Sequence, residues 1–189
     1  MAKKLWDKGD EVNKKIERFT VGRDRELDLL LAKYDVEGSI AHITMLESIG
    51  FLTKEELEQL KSELRRILKD EINTGIFEIE EGIEDVHSQI EYMLTLKLGD
   101  LGKKIHTARS RNDQVLTDIK LFLRAEIDAI LHLVEGLFEE LQHKSEATRE
   151  ILMPGYTHMQ AAMPSSFGLW FGAFAEALVD DVTQFKAAR

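Results

Sequence analysis

Between Asp113 and Arg149 the chain has no proline and a single glycine, Gly136. Val115, Ile119, Phe122, Ile127, Ile130, Val134, Leu137 and Leu141 hold a three- to four-residue period through it. A backbone so free of breakers, carrying one apolar stripe, is expected to fold as a single amphipathic helix. At 1.5 Å per residue such a helix is about 55 Å long, against an average of about 11–12 residues. A stripe of that length needs long partner surfaces, usually the other helices of a bundle. The fold class that follows is all-α.

The rest of the chain agrees. Its two prolines, Pro154 and Pro164, leave room for long helices elsewhere. Ile40, Ile43 and Met45-Leu46 fall at helical spacing before Gly50, which is placed as a C′ glycine. Thr53 and Glu56 form a capping box, each satisfying an orphan backbone donor of the other. Leu57, Leu60, Leu64, Ile67 and Leu68 then make one stripe with charge opposite. Glu78 to Glu84 reads as an acidic connection, and helix resumes near Asp85 with Val86, Ile90, Met93-Leu94 and Leu98 inward. Pro154-Gly155 breaks the long helix, and Pro164 suits the first turn of the next. Phe167, Trp170, Phe171, Phe174, Leu178, Val182 and Phe185 give that last helix a wide aromatic face. It runs to Arg189 without a capping signal. A face so large is costly to expose, so the expectation is a longer parent chain, with burial in an oligomer the other reading.

Three polar islands interrupt these stripes, each at a helix boundary. The richest is His106-Thr107-Ala108-Arg109-Ser110-Arg111-Asn112-Asp113-Gln114. A solvated face would be Lys and Glu. This run instead sets two guanidinium forks beside hydroxyls, an imidazole and amides, which suits a carboxylate or phosphate. Lys103 and Lys104 add charge just before it, in a chain of net charge -10. The plainer reading is a cap on the long helix by Asn112 or Asp113, and both can hold together. The second island is Gly155-Tyr156-Thr157-His158-Met159-Gln160, where a loop histidine more often only caps a helix end. The third is Glu84-Asp85-Val86-His87, where Asp85 alone reads best as an N-cap.

Composition narrows the function classes. A net charge of -10 argues against nucleic-acid or anionic-membrane binding, which need basic surfaces. With no cysteine, disulfides and thiolate metal sites are excluded. Met1 to Glu11 has no apolar signal region, and no apolar run approaches the ~20 residues of a bilayer span. The expectation is a soluble, cytoplasmic helical protein.

The islands together resemble the argininosuccinate lyase branch of the fumarase/aspartase superfamily. Asp35-Val36-Glu37-Gly38-Ser39-Ile40-Ala41-His42, Glu84-Asp85-Val86-His87, His106 to Asp118, and Pro154-Gly155-Tyr156-Thr157-His158-Met159-Gln160 are similar to that family's motifs in its order and approximate spacing. The resemblance implies a helical N-terminal domain over 1–112. The first part of a central helical bundle follows over 113–189, in a parent protein that is a homotetramer. It implies reversible elimination of fumarate from argininosuccinate to leave arginine, a step of arginine biosynthesis, with no metal and no cofactor. His158 then resembles the acid/base histidine, and His87, with Asp85, a second active-site histidine that orients substrate. Asp85, Ser110, Arg111, Asn112, Thr157 and Gln160 resemble the family's substrate-binding residues.

The chain departs from the family pattern in two places. The mobile loop with its catalytic serine, in a Ser-Ser-x-Met-Pro-x-Lys-x-Asn setting, is absent. Met163-Pro164-Ser165-Ser166 has the wrong order and belongs with the last helix. The 189 residues alone are therefore expected to be inactive. Near the N-terminus, Val21-Gly22-Arg23-Asp24-Arg25-Glu26-Leu27-Asp28 lacks the serine that family members place before an Asp-x-x-Leu motif. Competing readings are a non-catalytic crystallin-like relative, a lyase for adenylosuccinate, and a helical interaction module. The polar islands count against the first and third, the Arg-Ser-Arg-Asn-Asp-Gln run against the second.

Overall fold

The computed structural model describes residues 22–189 together with Ile16 and Phe19. Met1 to Glu11 and Val21, which entered the sequence reading, lie outside the described residues. Helix α1, Asp24–Asp28, passes through a 3-10 turn, Leu29–Leu31, into α2, Ala32–Ser48. Gly50 ends α2 at φ +83°, with the Phe51 amide donating to the Leu46 carbonyl at 2.9 Å and the Gly50 amide to that of Glu47 at 2.9 Å. This is the Schellman closure that a left-handed C′ residue permits. Helix α3, Lys54–Ile67, starts on the expected capping box, with Thr53 and Glu56 exchanging both bonds, at 3.0 and 3.2 Å. A π-turn, Leu68–Ile72, and an irregular connection lead to α4, Val86–Leu98, and the short α5, Asp100–Lys103.

These helices share one core. Val36, Ile43 and Leu46 of α2 meet Leu60, Leu64 and Ile67 of α3 and Val86, Ile90 and Leu94 of α4, all buried. The inward residues are those the helical period selects, so burial, at roughly 25 cal/mol per Å² of apolar surface, fixes which face each helix turns.

Helix α6 is the long one, Arg111–Ala147, 37 residues. It begins slightly before the expected Asp113, and its cap is neither Asn112 nor Asp113. Ser110 precedes the helix, and its Oγ accepts the Asn112 amide at 3.2 Å while Asp113 Oδ2 accepts the Ser110 amide at 2.9 Å. The short hydroxyl reaches a nearby donor, and Asp113, three residues on, closes the reciprocal bond. The pattern of burial on α6 is inverted. Its buried residues are Gln114 and Asp118, both polar, while Leu116, Leu133 and Leu137 stand exposed at 57%, 73% and 52%.

The described chain forms two compact units, one ending at Phe122 and the other Leu123–Arg189. In the second, the segment expected to be a simple break is an antiparallel hairpin, β1 Leu152–Thr157 with β2 Gln160–Ser166. The register pairs Leu152 with Ser166, Pro154 with Pro164 and Thr157 with Gln160, with an irregularity between Pro154 and Tyr156. Pro164 therefore lies in a strand, not at the first turn of the last helix. A two-stranded ribbon is all edge, so proline's missing N–H costs no central ladder bond. Ser166 caps the last helix, α7 Phe167–Ala188, accepting the Leu169 amide at 3.1 Å.

Helix α7 starts close against the end of α6 and runs back beside it, Arg189 pairing with Asp128 at 2.9 Å. Ser145 Oγ donates to the Gly168 carbonyl at 2.7 Å, and a Cβ on Gly168 would lie 2.6 Å from Cα of Arg149. Trp170 packs on Phe171 and Phe174 with ring centroids 5.0 and 5.2 Å apart, yet Trp170 and Phe174 remain about half exposed. Among the described residues no helix is long and apolar enough to cross a membrane.

Candidate active site

Asp85 stands at the N-cap of α4, where Oδ1 accepts the Ser88 amide at 2.8 Å. The capping reading of this residue is correct, and it is incomplete. The other carboxylate oxygen takes an ion pair from Nη1 of Arg111, whose Nη2 donates to Ser88 Oγ at 2.9 Å. The first turn of α4 thus holds the first residue of α6 by its guanidinium. Ser110 and Asn112 flank Arg111 at the α6 N-terminus, both exposed. The positive end of the helix dipole and a tethered guanidinium converge there, an arrangement suited to an anion.

Two positions beyond Asp85, His87 points into the fold and is 6% exposed. Its Nδ1 donates to Oδ1 of Asp35 at 2.8 Å and lies 3.5 Å from Oδ2 of Asp118. The Gln114 side-chain amide donates to the same oxygen of Asp35. Arg109 reaches in from the loop before α6 and donates from Nη2 to Ser39 Oγ at 3.0 Å. That loop is held from behind by His42, whose Nε2 bonds the Thr107 carbonyl at 2.8 Å. A carbonyl only accepts, so this nitrogen of His42 carries the proton.

The charges explain the protonation states. Burial, and then the charge of Asp35 beside it, push the Asp118 carboxyl up to about 8. Two adjacent buried carboxylates resist ionising together. Neither Asp118 oxygen, nor Oδ2 of Asp35, receives a bond from a donor. A proton retained on Asp118 and shared with Asp35 satisfies one oxygen of each acid. For His87, burial alone would lower the pKa. The Asp35 hydrogen bond and the charges of Asp35, Asp85 and Asp118 together outweigh it and leave the imidazole above its usual value. Desolvation lowers the Arg109 pKa, opposed by Asp35 and Asp118.

Asp35, His87 and Asp118 are the one trio among the described residues whose ligand-type atoms lie within 4.8 Å of one another. The donors converging on Asp35, with the Arg109 guanidinium nearby, tie the cluster into a hydrogen-bonded acid–base group.

The remaining sequence candidates belong to the second unit. Thr157, His158 and Gln160 sit at the hairpin tip, all exposed, with Thr157 Oγ1 3.1 Å from His158 Nδ1. His158 and Met159 occupy the two turn positions with φ +51° and +60°, the left-handed pair of a type I′ turn. Among the eight candidates, Asp85, His87, Ser110, Arg111 and Asn112 therefore fall in the first unit and Thr157, His158 and Gln160 in the second.

The sequence reading places Asp35, Ser39, Gln114 and Asp118 within motifs but gives them no role in a site, and it pairs Arg109 with Arg111 as an anion fork, whereas Arg109 turns inward to Ser39. A signal was present. Asp35 and Ser39, like Gln114 and Asp118, are polar residues spaced i, i+4 on helix faces that ought to be apolar.

A family model described as "Lyase" matches residues 10–189. Argininosuccinate lyase of Bacteroides thetaiotaomicron is 66% identical over 188 residues, covering 100% of this chain and 42% of that protein. Argininosuccinate lyase of Thermotoga neapolitana is 44% identical over 182 residues, covering 96% of this chain and 46% of its own length. The chain thus spans less than half the length of these relatives. Among solved structures, an EDDS lyase variant with bound fumarate superposes with a TM-score of 0.73 at 24% identity, over 95% of this chain and 35% of that one. The chain shares the helical fold of that lyase.

Proposed function

This chain belongs to the lyase family, and from that premise we propose that it carries part of the active site of an argininosuccinate lyase. The single observation that carries the reading is 66% identity to such an enzyme along the whole chain. The reaction breaks the bond between a guanidino nitrogen and the succinyl carbon. A proton leaves the neighbouring carbon, the nitrogen gains one, and fumarate and arginine result.

Each step asks for chemistry that these residues own. Losing a proton beside a carboxylate builds charge on that carboxylate, so donors aimed at it favour the transition state over the ground state. Arg111, Ser110 and Asn112 fill that part at the α6 N-terminus, with Asp85 and Ser88 holding the guanidinium in place. Thr157 and Gln160 supply further polar contacts from the hairpin tip. The leaving nitrogen departs best when protonated, which calls for an acid or base near neutrality. His158 takes that role and His87 binds and orients substrate. The elimination needs no redox or organic cofactor. The partners proposed are the small-molecule substrate and further copies of the same chain in a homo-oligomer, a tetramer by family resemblance, in the cytoplasm.

The test is fumarate release by the gene product carrying this sequence at its natural length, assayed on argininosuccinate and on adenylosuccinate. Release from argininosuccinate alone, falling at least a hundredfold in His158→Ala, is the expected result. Release from adenylosuccinate alone would transfer the chain to a different lyase. A folded protein inert toward both would leave the crystallin-like reading in its place.

A further inference from the structure

His87 is gripped along one edge. Its Nδ1 meets Asp35 and Asp118, and Gln114 bonds the Asp35 oxygen that His87 uses. These side chains come from α2, α4 and α6, so no single element forces them together. Asp35 and Asp118 are 0% exposed, and burying acids is expensive unless they are paired. Apolar residues of similar volume would serve packing better. What the acids do achieve is control of the ring. A carboxylate at Nδ1 fixes the imidazole's orientation, keeps the proton on that nitrogen and leaves Nε2 as the nitrogen free to act.

We propose that Asp35, steadied by Gln114 and Asp118, is a positioning residue that clamps the Nδ1 edge of His87 so that the charged ring offers Nε2–H to a substrate carboxylate. The inference rests on the reading of His87 as an active-site residue.

The surroundings support a charged ring. Asp28 faces it from α1, Asp35 from α2, Asp118 from α6 and Asp85 from the cap of its own helix. Arg109 faces Asp35 and Asp118 from the preceding loop, and Arg111 is paired with Asp85. The acids outnumber the cations, and the shared proton on Asp118 leaves Asp35 as the charge nearest to Nδ1.

The experiment is the pH dependence of argininosuccinate cleavage by the natural-length gene product, comparing parent, Asp35→Asn and His87→Asn, each with its melting temperature. In the parent, kcat/KM falls on the alkaline side as His87 loses its proton. Asp35→Asn removes the charge and keeps the shape. It should move that limb by about one pH unit toward acid and raise KM roughly tenfold at neutral pH, with a smaller change in kcat. Lowering the pH should restore much of the loss, which a merely structural role would not allow. A folded Asp35→Asn with an unshifted limb overturns the clamp. Parental rates and profile in His87→Asn would instead remove His87 from the site, a separate failure. Should Asp35→Asn not fold, Gln114→Leu, which takes the competing donor off the Asp35 carboxylate and leaves its charge to His87, must move the limb the other way, toward alkali, and an unshifted limb there overturns the clamp equally.

Discussion

At the scale of single residues, the buried acids should write themselves into stability. Asp118 titrates near 8 in the fold and close to the ordinary 4 or so when unfolded, so between those values the native state binds more protons. Stability must then fall as pH rises through that window. His87, raised above its usual value, acts in the same direction. Its contribution is full below about 6.5 and fades as pH passes the folded value. Melting temperature is expected to drop between about pH 5 and pH 8 by more than the rest of the protein explains, and Asp118→Asn should flatten that decline. Calorimetry at a series of pH values decides it, and a parent curve with no such decline would refute the assignment. Asp85 and Arg111 were legible from sequence because each lies in a run whose chemistry is local and dense. Asp35 and Asp118 were not, since an acid reads as solvated until a partner from another helix is known to meet it.

Among the elements, the helices were the easy part. Period, capping box and C′ glycine each rest on contacts within a few residues, and α2, α3 and α6 form where those signals stand. The hairpin was missed for the matching reason. Pro154, Gly155 and Pro164 are breakers in any local reading, and only pairing across the ribbon turns them into strands. The α6–α7 contact behind it depends on a residue without a side chain. Gly168→Ala would push a Cβ to 2.6 Å from Cα of Arg149 and 2.7 Å from the Ser145 carbonyl. Backbone on both sides leaves nothing soft to yield. The substitution is expected to cost about 1–3 kcal/mol, read as a lowered midpoint in urea, and a neutral result would mean the contact is looser than described.

Across the whole molecule, the exposed apolar surface is the dominant fact. Leu133 and Leu137 on α6, and Leu169, Trp170 and Phe174 on α7, are all exposed. Faces this apolar are seldom left bare, and either the further length that the relatives have or the proposed homo-oligomer would cover them. Leu133→Asp, at a position already 73% exposed, should leave a single copy's fold intact while dissociating the assembly and abolishing turnover. Sedimentation velocity reads the first and fumarate release the second. An unchanged assembly would place the interface elsewhere.

The hairpin tip carries a further consequence, for evolution under selection. His158 and Met159 hold left-handed backbone angles that cost a non-glycine residue roughly 1–2 kcal/mol each, where Asn-Gly would rest at ease. A library of variants chosen for heat resistance alone should drift toward Asn-Gly at these two sites. One chosen for growth that depends on the proposed reaction, with its product withheld from the medium, should keep the histidine. Comparing the two populations would reveal, with no structure in hand, whether a chain is being kept for its fold or for its chemistry.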